Sequence, residues 1–394
     1  MIASPVYLDN NATTETDPRV VESMLPFFTK YFGNPASRQH AFGWEAAEAV
    51  DFARTQIAAF IGAEQKEIIF TSGATESNNL AIKGVVEMYA NKGNHIITCV
   101  TEHKAVLDTC KNAENKGAQI TYLPVNDEGL VDLKELESAI HSGTILIAIM
   151  YANNETGVIQ PVAEIGEIAK KHGVTFFSDG AQAVGKIPVN VLNENIDLLS
   201  FTAHKINGPK GIGALYVRRK NPRVKLSEQM NGGGHERGMR SGTLNVPGIV
   251  GFEKALELCR LEMKEDSKRI SFLRNKLENG ICKIRGTKVN GNVKHRLPNT
   301  TNILFDGVKG ENLVTAMIRD MAVSPGSACT SASPEPSHVL KAMGLSNDEV
   351  HSSLRFSLGR FTTEEEIEFV LHKISQEVEQ LRMGHEKNMA DIQL

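Results

Sequence analysis

Lys205 closes the segment Ser200-Phe201-Thr202-Ala203-His204-Lys205, where a short apolar strand pattern from Asp197 gives way to the turn Asn207-Gly208-Pro209-Lys210-Gly211. Strand ends in α/β proteins are where ligands bind. A lysine amine that is partly neutral there can form a Schiff base with a carbonyl group. Taken alone, the residue reads more readily as an ordinary solvated lysine. Its company narrows the choice.

Asp179 ends the apolar run Phe176-Phe177-Ser178-Asp179, about 25 residues before Lys205, and Gly180-Ala181-Gln182 follow it. A carboxylate there either caps the next helix or pairs with a pyridine nitrogen, keeping it protonated so that the ring accepts electrons. Gln182 could donate to a ring hydroxyl. Ile69-Phe70-Thr71-Ser72-Gly73-Ala74-Thr75-Glu76 runs strand, small-residue turn, helix. The free N–H groups and positive dipole end of such a helix bind phosphate, with Ala74 allowing close approach and Thr75 adding a hydroxyl. A Ser/Thr-capped helix with no ligand is the other reading. The turn matches neither Gly-x-Gly-x-x-Gly nor a Gly-Lys-Ser/Thr loop, which disfavours nucleotides. Lysine, acid and phosphate turn together fit pyridoxal phosphate acting on an amino acid.

Cys329 lies in Ser324-Pro325-Gly326-Ser327-Ala328-Cys329-Thr330-Ser331-Ala332-Ser333-Pro334, a loop by composition. A thiol among small polar residues is expected to be exposed, and its reactivity depends on its thiolate population. Cys99, Cys110, Cys259 and Cys282 fall in strand or helix patterns and are expected to be buried hydrophobes. The five scattered cysteines include no Cys-x-x-Cys pair, so neither a disulfide framework nor a metal site is expected. Arg355, on the strand pattern Leu354–Leu358, is either solvated or a bidentate grip for a substrate carboxylate. The polar, glycine-rich stretch 232–243 suits a lid or a subunit contact.

The elements that must position these residues follow from the alternation between about 65 and 220. Strand-like runs are Glu67–Ser72, His95–Thr101, Gln119–Val125, Thr144–Ala152, Thr175–Asp179, Asp197–Thr202 and Gly213–Arg218; helical patterns between them include Glu76–Asn91, His103–Lys116, Leu133–His141 and Val162–His172. This predicts an α/β fold with a mostly parallel sheet covered on both faces. A long helical pattern from Ile249 to Ile284 leads to a smaller α+β unit with strands Thr300–Phe305, Ala322–Ser324 and Leu354–Leu358, closed by helix Thr363–Arg382. Residues 15–260 are expected to form the large domain, and 1–14 with 261–394 the small one carrying the Cys329 loop. The last dozen residues, Met383–Leu394, are polar and expected to fray. A net charge of −4 offers no basic field for nucleic acid. No apolar run is long enough to span a membrane, and no signal peptide is visible; a cytoplasmic protein is expected.

In this order the segments resemble class I cysteine desulfurases of the NifS/IscS type, among the aminotransferase-like, fold-type I pyridoxal phosphate enzymes. The likeness runs from Tyr7-Leu8-Asp9-Asn10-Asn11-Ala12-Thr13-Thr14 to Arg355-Phe356-Ser357-Leu358-Gly359-Arg360-Phe361-Thr362-Thr363. It includes Gly33-Asn34-Pro35-Ala36-Ser37, Thr101-Glu102-His103-Lys104 and Gly326-Ser327-Ala328-Cys329-Thr330-Ser331. The resemblance implies that Lys205 carries the cofactor as a Schiff base, that His103 stacks on its ring and shuttles protons, and that Asp179 and Gln182 meet the ring nitrogen and ring oxygen. Ala74, Thr75, Thr202 and His204 would hold the phosphate, with Thr243 from the other subunit of a homodimer. Asn34, Asn154 and Arg355 would hold the carboxylate of L-cysteine. Cys329 would receive sulfur as a persulfide and pass it to acceptors such as an iron–sulfur scaffold. Thr202-Ala203 replaces a commoner Ser-Gly, and the longer tail by which some members engage that scaffold is not seen. An aminotransferase, a selenocysteine lyase, or a catalytically silent member of an assembly complex are the alternatives. Cys329 speaks against the first, and Lys205, Asp179, His103 and Cys329 together speak against the last.

Overall fold

The computed structural model describes residues 5–325 and 336–392. Cys329 and its neighbours from 326 to 335 lie outside the described residues. The centre is a seven-stranded sheet in the order Ile68–Thr71, Gly213–Val217, Leu198–Thr202, Thr175–Asp179, Thr144–Ala148, His95–Cys99, Gln119–Leu123. Pairing is parallel from Leu198–Thr202 outward to Gln119–Leu123, and Gly213–Val217 is antiparallel to both of its neighbours. Leu198–Thr202, Thr144–Ala148 and His95–Cys99 are buried at every position. Helices cover both faces, which explains the continuous apolar runs where a half-exposed strand would alternate.

Register sets up the site. Asp179 pairs with Ser200 on the adjacent parallel strand, and Thr202 pairs with Gly213. The chain leaving Thr202 turns at once through the short 3-10 helix Ala203–Lys205, so Lys205 emerges beside the end of the Asp179 strand. The helix Ala74–Met88 begins directly after Ile68–Thr71 at the same sheet end.

The helix Val246–Ile281 joins two cores. Its first half buries Ile249, Phe252 and Leu256 against the large sheet, and its second half buries Ile270, Leu273, Leu277 and Ile281 against Val6, Leu8, Phe305 and Phe356. The smaller unit holds a four-stranded antiparallel sheet in the order Ser324–Pro325, Ser353–Ser357, Thr300–Phe305, Thr287–Val289.

Several boundaries differ from expectation. Ala322–Ser324 is two short strands: Met321–Ala322 pairs in parallel with Val6–Tyr7, while Ser324–Pro325 pairs with Leu354 and Arg355. The chain changes partner at Val323, which a single strand pattern does not reveal. The helix Leu133–Ala139 stops short of His141 because Ile140 turns extended, with φ −77° and ψ 130°. The last helix, Glu364–Ile392, continues through most of the segment expected to fray. The helix Ala41–Phe60, which packs on Val246–Ile281, carries no counterpart in the sequence reading. Cys282 is exposed because the long helix ends at Ile281 and leaves it in the cap; Cys99, Cys110 and Cys259 are buried as expected.

Candidate active site

A cleft of about 620 Å³ opens at the strand ends, and Ala74, Thr75, His103, Asn154, Asp179, Gln182, Thr202, His204 and Lys205 all line it. Its floor is Asp179, buried at the end of its strand. One carboxylate oxygen accepts from Asn78 Nδ2 at 2.7 Å and the other from the Ala181 N–H at 3.0 Å. These donors fix the carboxylate's orientation at the cleft wall.

The cup for an anion is the start of helix Ala74–Met88. Gly73 occupies the N-cap with φ 154° and offers no side-chain cap, so the first-turn N–H groups open into the cleft. A Cβ at Gly73 would approach Thr202 Oγ1 at 3.8 Å, an ordinary contact; only the backbone angle favours glycine there. Thr202 Oγ1 donates to the Ile212 carbonyl at 3.0 Å, so its hydroxyl must turn from that carbonyl to donate to an anion in the cup. His204 Nδ1 meets Thr13 Oγ1 at 3.2 Å. Burial, with Lys205, Lys210 and Lys186 as neighbouring cations, depresses the His204 imidazole to about 4. It is therefore a neutral hydrogen-bonding group at pH 7.

Lys205 Nζ donates to the Asn11 carbonyl and, at 2.6 Å, to the Ala12 carbonyl. The amine is thus tethered by the N-terminal segment that crosses the cleft. Gln182 Nε2 donates to the same Asn11 carbonyl at 3.0 Å, and its Oε1 accepts from Lys186 at 2.7 Å. His103 caps helix Lys104–Glu114, its Nδ1 accepting from the Ala105 N–H at 3.1 Å. The neutral ring consequently carries its proton on Nε2. Burial first, then Lys205, lowers its pKa, while Asp179 and Asp108 oppose that.

The expected substrate residues behave differently from one another. Asn154 lines the cleft, and its carbonyl accepts from Asn11 Nδ2 at 3.1 Å and Arg355 Nη1 at 3.0 Å. Arg355 is buried one layer behind, paired with Asp9. Asn34 is not brought to the cleft: it is exposed, and its Oδ1 accepts from the Ala36 N–H at 2.9 Å. Thr243 is also exposed and outside this cleft.

Sequence reasoning assigned no role to Asn78, Asn11, Glu102 or Lys186. Asn78 carried a signal, since asparagine in a helix interior is a poor choice unless its amide has a partner. Glu102 is fully buried, accepts from the Met150 N–H at 2.5 Å through Oε1, and has no partner for Oε2 among the described residues. Burial pushes its carboxyl well up, with Asp179 adding to the effect. Burial likewise pushes the thiols of Cys99 and Cys110 to about 12 and that of Cys259 to about 11. No cluster among the described residues could hold a metal ion.

An anion cup, a strand-end carboxylate and a tethered lysine share one cleft at the end of an open α/β sheet. The profile of the aminotransferase class-V family matches residues 6–370, and the chain belongs to that family. It is 55% identical over 380 residues to cysteine desulfurase IscS of Escherichia coli O139:H28 (strain E24377A / ETEC), covering 96% of this chain and 94% of that one. The same figures hold for cysteine desulfurase IscS of Shigella boydii serotype 18 (strain CDC 3083-94 / BS512). Among solved structures, a NifS-like protein superposes with a TM-score of 0.88 at 40% identity, covering 94% of this chain and 98% of its own. One described as SspA in complex with cysteine gives a TM-score of 0.80 at 37% identity, covering 91% and 100%.

Proposed function

We propose that this chain is a pyridoxal phosphate-dependent cysteine desulfurase. It converts L-cysteine to L-alanine while the thiol of Cys329 becomes a persulfide: the substrate C–S bond breaks, an S–S bond forms, and the substrate carbon gains a proton. The observation that carries the reading is the convergence of the Lys205 amine, the Asp179 carboxylate and the uncapped helix at Gly73 on one cleft.

The residues present fit the cofactor. Ala74 and Thr75 N–H groups, Thr202 and His204 would hold its phosphate, Asp179 its ring nitrogen, Gln182 its ring oxygen and His103 its face, with Lys205 as the covalent attachment. When bound, the cofactor supplies an electron sink for the substrate's α-carbon. Lys205 holds and returns the α-proton. His103 presents Nε2–H to the cleft and so serves as a donor there. Asn154 and Arg355 would take the substrate carboxylate, and Asn34 could join them only from elsewhere in an assembly.

Homodimerisation is part of this reading. Thr243 lies away from its own chain's cleft, and Phe28, Phe32, Phe42, Trp44 and Phe52 are more than half exposed, at 61%, 63%, 51%, 58% and 58%. Apolar side chains gathered on one stretch of sequence favour burial against a second copy. The two cores support residues 15–260 as the cofactor domain, with 1–14 and 261–394 as the smaller one. No helix among the described residues is long and apolar enough to cross a membrane. A reducing cytoplasm suits a free thiol nucleophile, and protein acceptors such as an iron–sulfur scaffold would take the sulfur.

The test is direct. Purified protein should be yellow, and with L-cysteine and a reductant it should release alanine and sulfide in equal amounts. Lys205→Ala should lose the colour and the activity. A colourless protein that takes up no added pyridoxal phosphate would overturn the proposal.

A further inference from the structure

Lys186 lies four residues after Gln182, in a turn segment where Gly185 has φ 82°. Its Nζ donates to Gln182 Oε1 at 2.7 Å and to Asn11 Oδ1 at 3.1 Å. The Gln182 amide is therefore held at both ends. Its oxygen faces the Lys186 amine, which donates to it, and its nitrogen faces the Asn11 carbonyl, which only accepts. Reversing the amide would set its oxygen against the Asn11 carbonyl oxygen and give up the hydrogen bond that the amine donates. One N–H is engaged by Asn11, and the second remains for an oxygen in the cleft.

The same corner governs Lys205, because the Asn11 carbonyl accepts from both Gln182 and Lys205. Asn11 is itself fixed by Thr300 Oγ1 at 2.9 Å and by Asn299 Nδ2 at 3.0 Å. The groups facing the Lys186 amine are cations and a thiol: Lys205, Arg355 and Cys259. Burial, then Lys205 and Arg355, drives its pKa well down. No carboxylate among the described residues pairs with it, so an ion pair does not account for the lysine there.

We propose that Lys186 is a positioning residue: its amine locks the Gln182 amide so that an N–H always faces the ring oxygen of the bound cofactor. This rests on the pyridoxal phosphate reading above. A donor to that oxygen stabilises its anionic form and so lowers the pH at which the Schiff base of Lys205 loses its proton. Without Lys186 the amide oxygen loses its donor, and only the Asn11 carbonyl still opposes reversal of the amide.

The experiment follows the visible absorbance of the holoenzyme against pH in wild type, Lys186→Met, Gln182→Ala and the double variant. The midpoint should rise by on the order of one pH unit in Lys186→Met, the scale of one hydrogen bond to a charged atom. Gln182→Ala should rise similarly, and the double variant should equal Gln182→Ala alone, since Lys186 acts through Gln182. Lys186→Arg, which keeps donors at that position, should return toward the wild-type midpoint. A wild-type midpoint in Lys186→Met, or shifts that add in full, would overturn the assignment. Thermal melting of each apo variant establishes folding, and Lys186→Leu replaces Lys186→Met if the latter does not fold. A wild type with no visible band would instead overturn the cofactor reading itself.

Discussion

Asp9 and Arg355 are 346 residues apart in sequence and meet at 2.6 Å, Oδ1 to Nη2. The arginine side chain is 1% exposed, its Nη1 donates to the Asn154 carbonyl, and its Nε has no partner among the described residues. The guanidinium proposed to grip the substrate carboxylate is thus already held by a carboxylate of the chain. Asp9 neutralises a cation that would otherwise be buried alone, and a substrate carboxylate gripped by Arg355 would compete with it.

Opposite effects on substrate binding follow for the two partners. Arg355→Lys, which cannot form the fork, should raise KM for L-cysteine roughly 10- to 100-fold with a smaller change in kcat. Asp9→Asn should lower KM, because the competing charge is gone, while lowering the melting temperature. Steady-state kinetics of both variants check this. A raised KM in Asp9→Asn would show instead that Asp9 holds Arg355 in its binding geometry.

The strand-end acid gives the second prediction. Asp179→Asn keeps the size of the side chain and removes its charge, so it should retain cofactor and lose most turnover. Asn78→Ala removes the 2.7 Å donor to Asp179 and should cause a smaller loss in the same direction. Near wild-type turnover in Asp179→Asn would reduce the carboxylate to a cap for the Ala181 N–H.

The thiols give the third. Cys99, Cys110 and Cys259 are held protonated by burial. Cys282, exposed at the far end of the long helix, is outside the cleft lining. A thiol in the neutral form is a poor nucleophile. Replacing any of these four by alanine should leave turnover near wild type, whereas Cys329→Ser should yield no alanine and no protein-bound sulfur. Mass spectrometry of the enzyme after one turnover with L-cysteine reads the outcome for each variant.

The sheet and the residues at its ends were legible because each lies within a few positions of a local signal. Buried strands read as apolar runs, and Asp179, Gly73 and Lys205 each follow one directly. The partners were not legible for the same reason inverted. Asn11 reaches Lys205, Gln182 and Lys186 across most of the large domain, and Asp9 reaches Arg355 across nearly the whole chain; no period or turn signal links such positions. The helix Ala41–Phe60 escaped because Phe42, Trp44 and Phe52 are exposed while its core face includes Gly43, Ala46 and Ala53. Its hydrophobic pattern points outward as much as inward. Asn34 and Thr243, read from resemblance, stand off the cleft because a single chain does not bring them to it.

The fourth prediction concerns acid. His204 has a folded pKa of about 4 against an ordinary 6.5. Between those values the unfolded chain binds the proton and the folded chain does not, so this residue's contribution to stability falls as pH drops from 6.5 toward 4. His95, His103 and His338 are shifted down by burial and act in the same sense. Glu155, raised to about 7 by burial, and Glu253, raised to about 6, act in the opposite sense, because there the folded chain holds the proton. The slope of wild-type stability with pH is therefore a sum of opposed parts, and only a difference isolates one residue. His204→Gln keeps a polar side chain without a titration. The difference in melting temperature between wild type and His204→Gln should be flat above pH 7 and should move in favour of the variant as pH falls to 4.5. If the difference stays constant across that window, His204 titrates alike in the folded and unfolded chains. It would then not be a neutral group in the anion cup at pH 7.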